Sequence, residues 1–293
     1  MTASAPTVVA VLGAGTMGAG IAQACAGAGC EVQLVDADPE ALTRALATIE
    51  DSLQRLVRKG VLDEGSIERT LGNVHPADDL ASAVAAADVV IEAVTEDLDV
   101  KRSLWQYLAA HARPGTLLAS NTSSLSVTEI AGFGGDPESS CGLHFFNPVP
   151  LLPLVEVVRG EHTSDATVAR AVEFVARIGK TPIVCHDTPG FIVNRLLMPY
   201  LNDAVHALAE GVTSAADLDA AMTLGANLPL GPLALADLIG LDVTLAAIEA
   251  LHRETGDPRF RPAPLLRRYV RAGKLGRKSG EGFHRYAPRE EGA

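Results

Sequence analysis

The residue types able to do chemistry in this chain fall into two groups, a glycine turn near the N-terminus and a histidine–glutamate pair in its middle. The turn reads Gly13-x-Gly15-x-x-Gly18, directly after the β-branched run Val8–Leu12, and Asp36 ends the next apolar run 18 residues beyond Gly18. In such a motif the first glycine makes a tight turn and the second lets a pyrophosphate approach the backbone. The third lets strand and helix pack closely. The helix that opens at about Met17 offers unpaired N–H groups to phosphates, so Gly13, Gly15, Thr16, Met17 and Gly18 form a candidate phosphate cradle. Asp36 is placed to accept hydrogen bonds from ribose hydroxyls. A 2′-phosphate there meets like charge, and Ala37, Asp38 and Pro39 bring no arginine to offset it. The pattern favours NAD over NADP; a glycine turn with no ligand and an FAD site are the alternatives.

The second group is His144 and Glu156, on two strand-like runs (Gly142–Phe145 and Leu154–Val158) joined by a proline-rich bend from Asn147 to Pro153. That arrangement can bring an imidazole and a carboxylate within hydrogen-bond reach. Oxidation of a secondary alcohol needs a base for the hydroxyl proton, and histidine suits that task near neutral pH. A carboxylate on its other nitrogen fixes the tautomer and stabilises the imidazolium. On the residues alone a satisfied strand histidine is the simpler reading, since His144 is one of 8 histidines, and Glu156 alone reads equally well as a surface strand acid.

The elements that must position these groups alternate. Strand patterns at Val8–Leu12, Glu31–Val35, Val89–Ala93, Leu117–Ala119, Gly142–Phe145, Leu154–Val158 and Ile183–Cys185 are separated by helical patterns. The helices cover about Met17–Ala28, Pro39–Lys59, Asp63–Leu71, Val100–Ala112, Val127–Ile130 and Ser164–Ile178. Alternation of this kind specifies an α/β Rossmann-type doubly wound, mainly parallel sheet. After His186-Asp187-Thr188-Pro189-Gly190 only amphipathic helical patterns follow, at about Phe191–Glu210, Ala215–Thr223, Pro232–Thr255 and Leu265–Ala272. The expected division is a nucleotide-binding domain over 1–187 and an all-helical C-terminal domain over 188–293.

Composition excludes several function classes. The 293 residues carry a formal net charge of −12, which repels nucleic acid and anionic membrane surfaces. Cys25, Cys30, Cys141 and Cys185 have no C-x-x-C spacing and no clustered histidines, so neither a disulfide framework nor a metal site is expected. With no leader pattern and no membrane-spanning apolar run, the chain reads as cytoplasmic. Trp105, at helical spacing with Leu104 and Leu108, reads as packing; Asp237 and Asp242 read as helix caps or as residues facing the domain junction. The apolar residues Leu233, Leu235, Leu238, Ile239, Leu241, Leu245 and Ile248 lie close together and suggest a subunit interface.

Four segments in order, SNTSSL (Ser120–Leu125), GLHFFNPVP (Gly142–Pro150), LVEVV (Leu154–Val158) and DTPGFIVNRLL (Asp187–Leu197), resemble those of the L-3-hydroxyacyl-CoA dehydrogenase family. The resemblance runs from VLGAGTMGAGIAQ (Val11–Gln23) to KLGRKSGEGFHRY (Lys274–Tyr286), nearly the whole chain, with bacterial 3-hydroxybutyryl-CoA dehydrogenases nearest in length. It implies His144 as catalytic base, Glu156 as its acidic partner, Ser123 near the substrate hydroxyl and Asn194 orienting the acyl group. It further implies Glu96 and Lys101 near the nicotinamide ribose, with Asn121, Asn147 and Lys278 as other cofactor contacts. The family's CoA contacts fall on Ser52 and Lys59, beside Arg55 and Arg58; without the resemblance that cluster reads as a basic helix end. The implied activity is reversible NAD-dependent oxidation of a short (S)-3-hydroxyacyl-CoA by a homodimer joined through its C-terminal domain. The same motifs also suit a carrier-protein-bound acyl group or a free hydroxy acid. A crystallin-like protein that keeps the fold without the chemistry is the remote alternative.

Overall fold

Short β-branched runs with little polar interruption form strands, buried on both faces in the middle of the sheet and largely exposed at its two edges. Eight of them make a single sheet: β1 Val8–Leu12, β2 Glu31–Val35, β3 Val74–Pro76, β4 Val89–Glu92, β5 Leu117–Ser120, β6 Ser140–Phe145, β7 Leu154–Arg159 and β8 Thr181–His186. This is a computed structural model, described for residues 7–287. The spatial order is β3-β2-β1-β4-β5-β6-β7-β8, with every neighbouring pair parallel except β6 and β7. The order reverses between β1 and β4, so the carboxyl ends of those strands open the crevice where ligands of doubly wound sheets sit.

The crossover helices are α1 Thr16–Gly27, α2 Pro39–Arg58, α3 Gly65–Gly72, α4 Leu80–Ala86, α5 Leu98–His111, α6 Val127–Phe133 and α7 Asp165–Arg177. Several start where an acid or serine accepts from the first free N–H groups: Asp38 at α2, Asp79 at α4, Asp97 at α5, Ser126 at α6 and Ser164 at α7. Helix α2 shows the logic of amphipathicity. Leu42, Ala45, Ile49, Leu53 and Leu56 recur at 3–4-residue spacing and are buried, which leaves Arg55, Arg58 and Lys59 in solvent. Trp105 is fully buried in the cluster with Leu108, Leu118 and Ile130, so its role is packing.

The chain divides into two units between Thr188 and Pro189. The second contains α8 Val193–Ala209, α9 Ala215–Gly225, α10 Pro232–Ile239, α11 Leu241–Thr255 and α12 Pro264–Arg271, around a core that includes Leu201, Leu233, Leu241, Ile248 and Leu266. No strand longer than an isolated bridge occurs among its described residues.

Several expectations need correcting. The pattern over Pro232–Thr255 is two helices, because Gly240 takes φ 107° and turns the chain between α10 and α11. Strand β3 and helix α4 were not expected. The strand is three residues long and its helix seven, below the length at which periodicity is legible. Most of the apolar cluster expected at a subunit interface is this unit's own core: Leu233, Leu241 and Ile248 are fully buried and only Leu238 is exposed.

Asp237 is not a helix cap. It is buried and accepts from Phe283 N (2.9 Å), His284 N (2.8 Å) and Tyr286 Oη (2.9 Å), pinning the end of the chain to α10. Each orphaned buried donor costs about 1–3 kcal/mol. Asp237→Ala is therefore expected to lower the melting temperature and to open the segment after Gly280 to limited proteolysis, read by mass spectrometry. An unchanged digestion pattern would contradict this account.

Candidate active site

The geometry at the middle of the sheet starts from the antiparallel pairing of β6 with β7. Its register sets His144 directly opposite Glu156 and Leu143 opposite Val157. Because strand side chains alternate, the two polar groups share one face while Leu143 and Val157 enter the core on the other. His144 Nδ1 lies 2.7 Å from Glu156 Oε2, with both side chains buried. The carboxylate accepts, so Nδ1 carries the proton and basicity falls on Nε2. The Phe146 ring packs tilted against the imidazole at 4.4 Å between centroids.

The bend after β6 is held from two sides. Lys180 Nζ donates to Val149 O (2.6 Å) and Leu152 O (2.9 Å). On the other side Gly20 of α1 lies against Val149 so closely that a Cβ at position 20 would stand 2.9 Å from Val149 Cβ. Asn147, expected at the cofactor, is exposed at the start of this bend.

At the end of β1, Gly13 takes φ 106°, and a Cβ there would lie 2.5 Å from the carbonyl oxygen of Ala93. A Cβ at Gly18 would lie 1.7 Å from the carbonyl oxygen of Gly13, whereas Gly15 faces open space and is exposed with Thr16; Met17 is half-buried. Two of the glycines are thus demanded by packing, and the third leaves room for a ligand. Asp36 Oδ2 accepts from Ala14 N (2.7 Å) and Oδ1 from Asp38 N (2.9 Å), so its carboxylate is fixed at the lip of the turn. An open glycine on an uncapped helix start, beside a fixed carboxylate, fits the pyrophosphate and ribose of a dinucleotide.

The loop after β5 carries the next group. Glu96 Oε1 accepts from Thr122 Oγ1 (2.6 Å), Ser123 N (2.9 Å) and Ser124 N (3.1 Å), and lies 3.4 Å from Ser123 Oγ. Asn121 Oδ1 accepts from Phe145 N (2.9 Å), tying this loop to the strand that carries His144. Lys101, expected as a cofactor contact, is 1% exposed and sits between carboxylates, 2.6 Å from Glu92 Oε1 and 3.3 Å from Glu96 Oε2. Its ammonium pairs with both carboxylates inside the protein.

Residues 8–188 match the family described as 3-hydroxyacyl-CoA dehydrogenase, NAD binding domain, and residues 190–286 match that family's C-terminal domain. The chain belongs to the 3-hydroxyacyl-CoA dehydrogenase family. Members of this family are NAD-dependent oxidoreductases. A probable 3-hydroxybutyryl-CoA dehydrogenase of Deinococcus radiodurans is 48% identical over 276 residues, 94% of this chain and 99% of that one. The mitochondrial hydroxyacyl-coenzyme A dehydrogenase of Sus scrofa is 44% identical, over 95% of this chain and 90% of its own. The crystal structure of (S)-3-hydroxybutyryl-CoA dehydrogenase from Ralstonia eutropha superposes with a TM-score of 0.91 at 43% identity, covering 97% of this chain and all of that one.

Within this dehydrogenase fold the expected residues divide by unit. The nucleotide-binding unit brings together the glycine turn with Asp36, the Glu96–Ser123–Asn121 loop and the His144–Glu156 pair. Ser52, half-buried, lies in the C-terminal half of α2, and Lys59, exposed, lies just past its end. Asn194 lies in the first turn of α8 and Lys278 on a short turn where it pairs with Asp242 at 2.6 Å, both in the second unit. Sequence reading missed Glu92, Thr122 and Lys180, and took Gly20 as a small residue for packing on the sheet rather than against Val149. Glu92 alone left a signal, an acid closing an otherwise apolar strand as Asp36 follows β2. No helix among the described residues is long and apolar enough to cross a membrane, and they hold no metal-binding cluster.

Burial works against ionisation of Glu96, but the Lys101 charge and the hydrogen bonds from Thr122 Oγ1 and Ser123 N outweigh it and hold the carboxyl below its ordinary value of 4.5. A group with a lowered folded pKa stabilises fully above its unfolded value and loses that contribution as pH falls through the folded one. The loop clamp is therefore complete above pH 4.5 and is lost only as pH falls further, through the lowered folded value. Amide exchange at Ser123 and Ser124, corrected for intrinsic rates, should still be slow at pH 4.5 and quicken only in more acid solution, with no such step in Glu96→Gln. Loss of protection already at neutral pH would refute the clamp.

Proposed function

We propose that this chain interconverts (S)-3-hydroxyacyl-CoA and 3-oxoacyl-CoA with NAD, acting on short acyl groups such as 3-hydroxybutyryl, with His144 as the general base. The observation that carries this is the buried 2.7 Å contact of His144 Nδ1 with Glu156 Oε2 on paired strands, in the same unit as a glycine turn that fits a dinucleotide. Glu156 holds Nδ1–H and balances the imidazolium charge, so Nε2 takes the proton from the 3-hydroxyl. When bound, the nicotinamide supplies the acceptor for the hydrogen that leaves carbon 3 with its electron pair. In the reverse direction His144 returns the proton to the forming alkoxide. Burial of the pair keeps water from competing for the proton.

The remaining roles follow the family resemblance. Gly13, Gly15, Thr16, Met17 and Gly18 hold the pyrophosphate, and Asp36 holds the adenosine ribose and turns away a 2′-phosphate. Glu96, Lys101, Asn121, Asn147 and Lys278 serve the nicotinamide side, Lys101 through Glu96. Ser123 and Asn194 bind the 3-hydroxyl and the acyl group, while Ser52 and Lys59 take the CoA handle. A CoA or phosphopantetheine handle is favoured over a free hydroxy acid by Arg55, Arg58 and Lys59, which stand together in solvent. We also infer a homodimer through the helical unit, since Leu196, Leu224, Leu238 and Val243 there are 68%, 86%, 52% and 51% exposed. The four unpaired cysteines suit a reducing cytoplasm.

NADH oxidation followed with acetoacetyl-CoA, and with NADPH in parallel, tests the activity directly: turnover with NADH and little with NADPH is expected. Turnover of neither coenzyme would remove the CoA substrate, and preference for NADPH would remove the Asp36 argument. His144→Ala should lower kcat by about 10²–10⁴-fold, and retention of most turnover would exclude it as the base. For the dimer, Leu224→Asp should shift the sedimentation coefficient toward that of a monomer; an unchanged value would place the interface elsewhere.

A further inference from the structure

The reading above gives Glu92 no part, yet this residue is tied to α5, to β5 and to the loop that follows β5. It ends β4 level with Leu12 of β1 and Ser120 of β5. Its side chain is wholly buried. Oε1 accepts from Lys101 Nζ (2.6 Å) and Val94 N (3.0 Å), and Oε2 accepts from Ser120 Oγ (2.6 Å). Its backbone carbonyl accepts from Asn121 N at 2.8 Å. Taking a carboxylate and an ammonium out of water is expensive, and a well-packed apolar pair in the same space is often as stable or more so. A buried ion pair with this many partners points to a demand other than stability.

The geometry states the demand. Lys101 stands between two carboxylates and makes its shorter contact with Glu92, 2.6 Å against 3.3 Å to Glu96. Glu92 is therefore the nearer counter-ion and fixes the ammonium's position, and Glu96 is left partly exposed with Oε1 committed to the Thr122–Ser124 loop. With a neutral residue at 92 the ammonium has Glu96 as its sole counter-ion and draws that carboxylate inward, off the loop. Ser120 loses its acceptor in the same step. Two routes then fail together: Lys101 to Glu96, and Ser120–Asn121 to the loop that carries Ser123.

We propose that Glu92 is a positioning residue of the reaction, setting Glu96 through Lys101 and the Ser120–Ser124 loop through Ser120 without touching cofactor or substrate. The proposal rests on Glu96 meeting the nicotinamide ribose. Glu92→Gln keeps the shape and removes the charge. Measured by fluorescence titration, its affinity for NADH should fall about tenfold, the size of one lost charged hydrogen bond. KM for NADH should rise with it, KM for acetoacetyl-CoA should rise as well because Ser123 rides on the same loop, and Ser123 and Ser124 amides should exchange faster in the free protein.

The double variant Glu92→Gln/Lys101→Met separates positioning from stability, because it removes both charges and keeps an amide to pair with Val94 N and Ser120 Oγ. It should melt near the wild-type temperature and still bind NADH poorly. Recovery of both melting temperature and NADH affinity would overturn the proposal and make the pair a packing element; the double variant also carries the test if the single one does not fold. Glu96→Gln distinguishes the two ways to fail. Unchanged NADH affinity there would overturn the ribose reading and the proposal with it. Weakened affinity in Glu96→Gln beside a normal Glu92→Gln would overturn the proposal alone.

Discussion

In an otherwise parallel sheet, β6 and β7 run antiparallel, and the proposed chemistry depends on that reversal. Parallel neighbours are joined through a crossover, which sets their register by the packing of a helix. An antiparallel pair joined by a bend has its register fixed within a few residues. Here it faces an imidazole with a carboxylate and leaves the ring one tautomer. A slip of one residue would turn Glu156 into the core and Val157 toward His144. The apolar alternation of Leu143, Phe145, Val155 and Val157, all buried, is what forbids the slip. The hydrophobic pattern therefore specifies the acid–base pair as much as the polar residues do.

Around that pair the polar groups are arranged as a graded series. Glu156 and Glu92 are fully buried and each is satisfied by named donors, Glu96 is partly open, and Asp36 lies at the lip of the glycine turn. Buried carboxylates set geometry, since moving them would strand a charge away from water. Exposed ones are free to meet a ligand. Lys101 joins the two classes, as a buried cation held between the closed Glu92 and the partly open Glu96.

What the sequence made legible follows from the range of the forces involved. The glycine turn, Asp36 and the strand–helix alternation are local signals, encoded in periodicity and in backbone conformations that only glycine takes easily. The facing of His144 and Glu156 was readable as a suggestion, because two alternating runs and one short bend leave few ways to pair. Roles for Asn194, Lys278, Ser52 and Lys59 came through resemblance, since nothing in their spacing distinguishes them from surface polar residues. Lys180, Thr122 and Glu92 act across 26 to 31 residues of chain, and no periodicity records such pairings. The break at Gly240 was hidden because the apolar pattern runs through it and only the backbone turns.

The contact of Gly20 with Val149 has a consequence for how such an enzyme changes over time or under design. The helix that starts at the nucleotide turn and the bend that follows the proposed base share one van der Waals boundary, with no space for even a methyl group between them. The two half-sites are therefore not interchangeable parts. A nucleotide-binding segment grafted from another dehydrogenase, with alanine or anything larger at that position, would displace the bend and carry the histidine with it. On the proposed reading coenzyme preference is set at Asp36, away from this contact, whereas recombination across Gly20 has to bring both sides of the contact together.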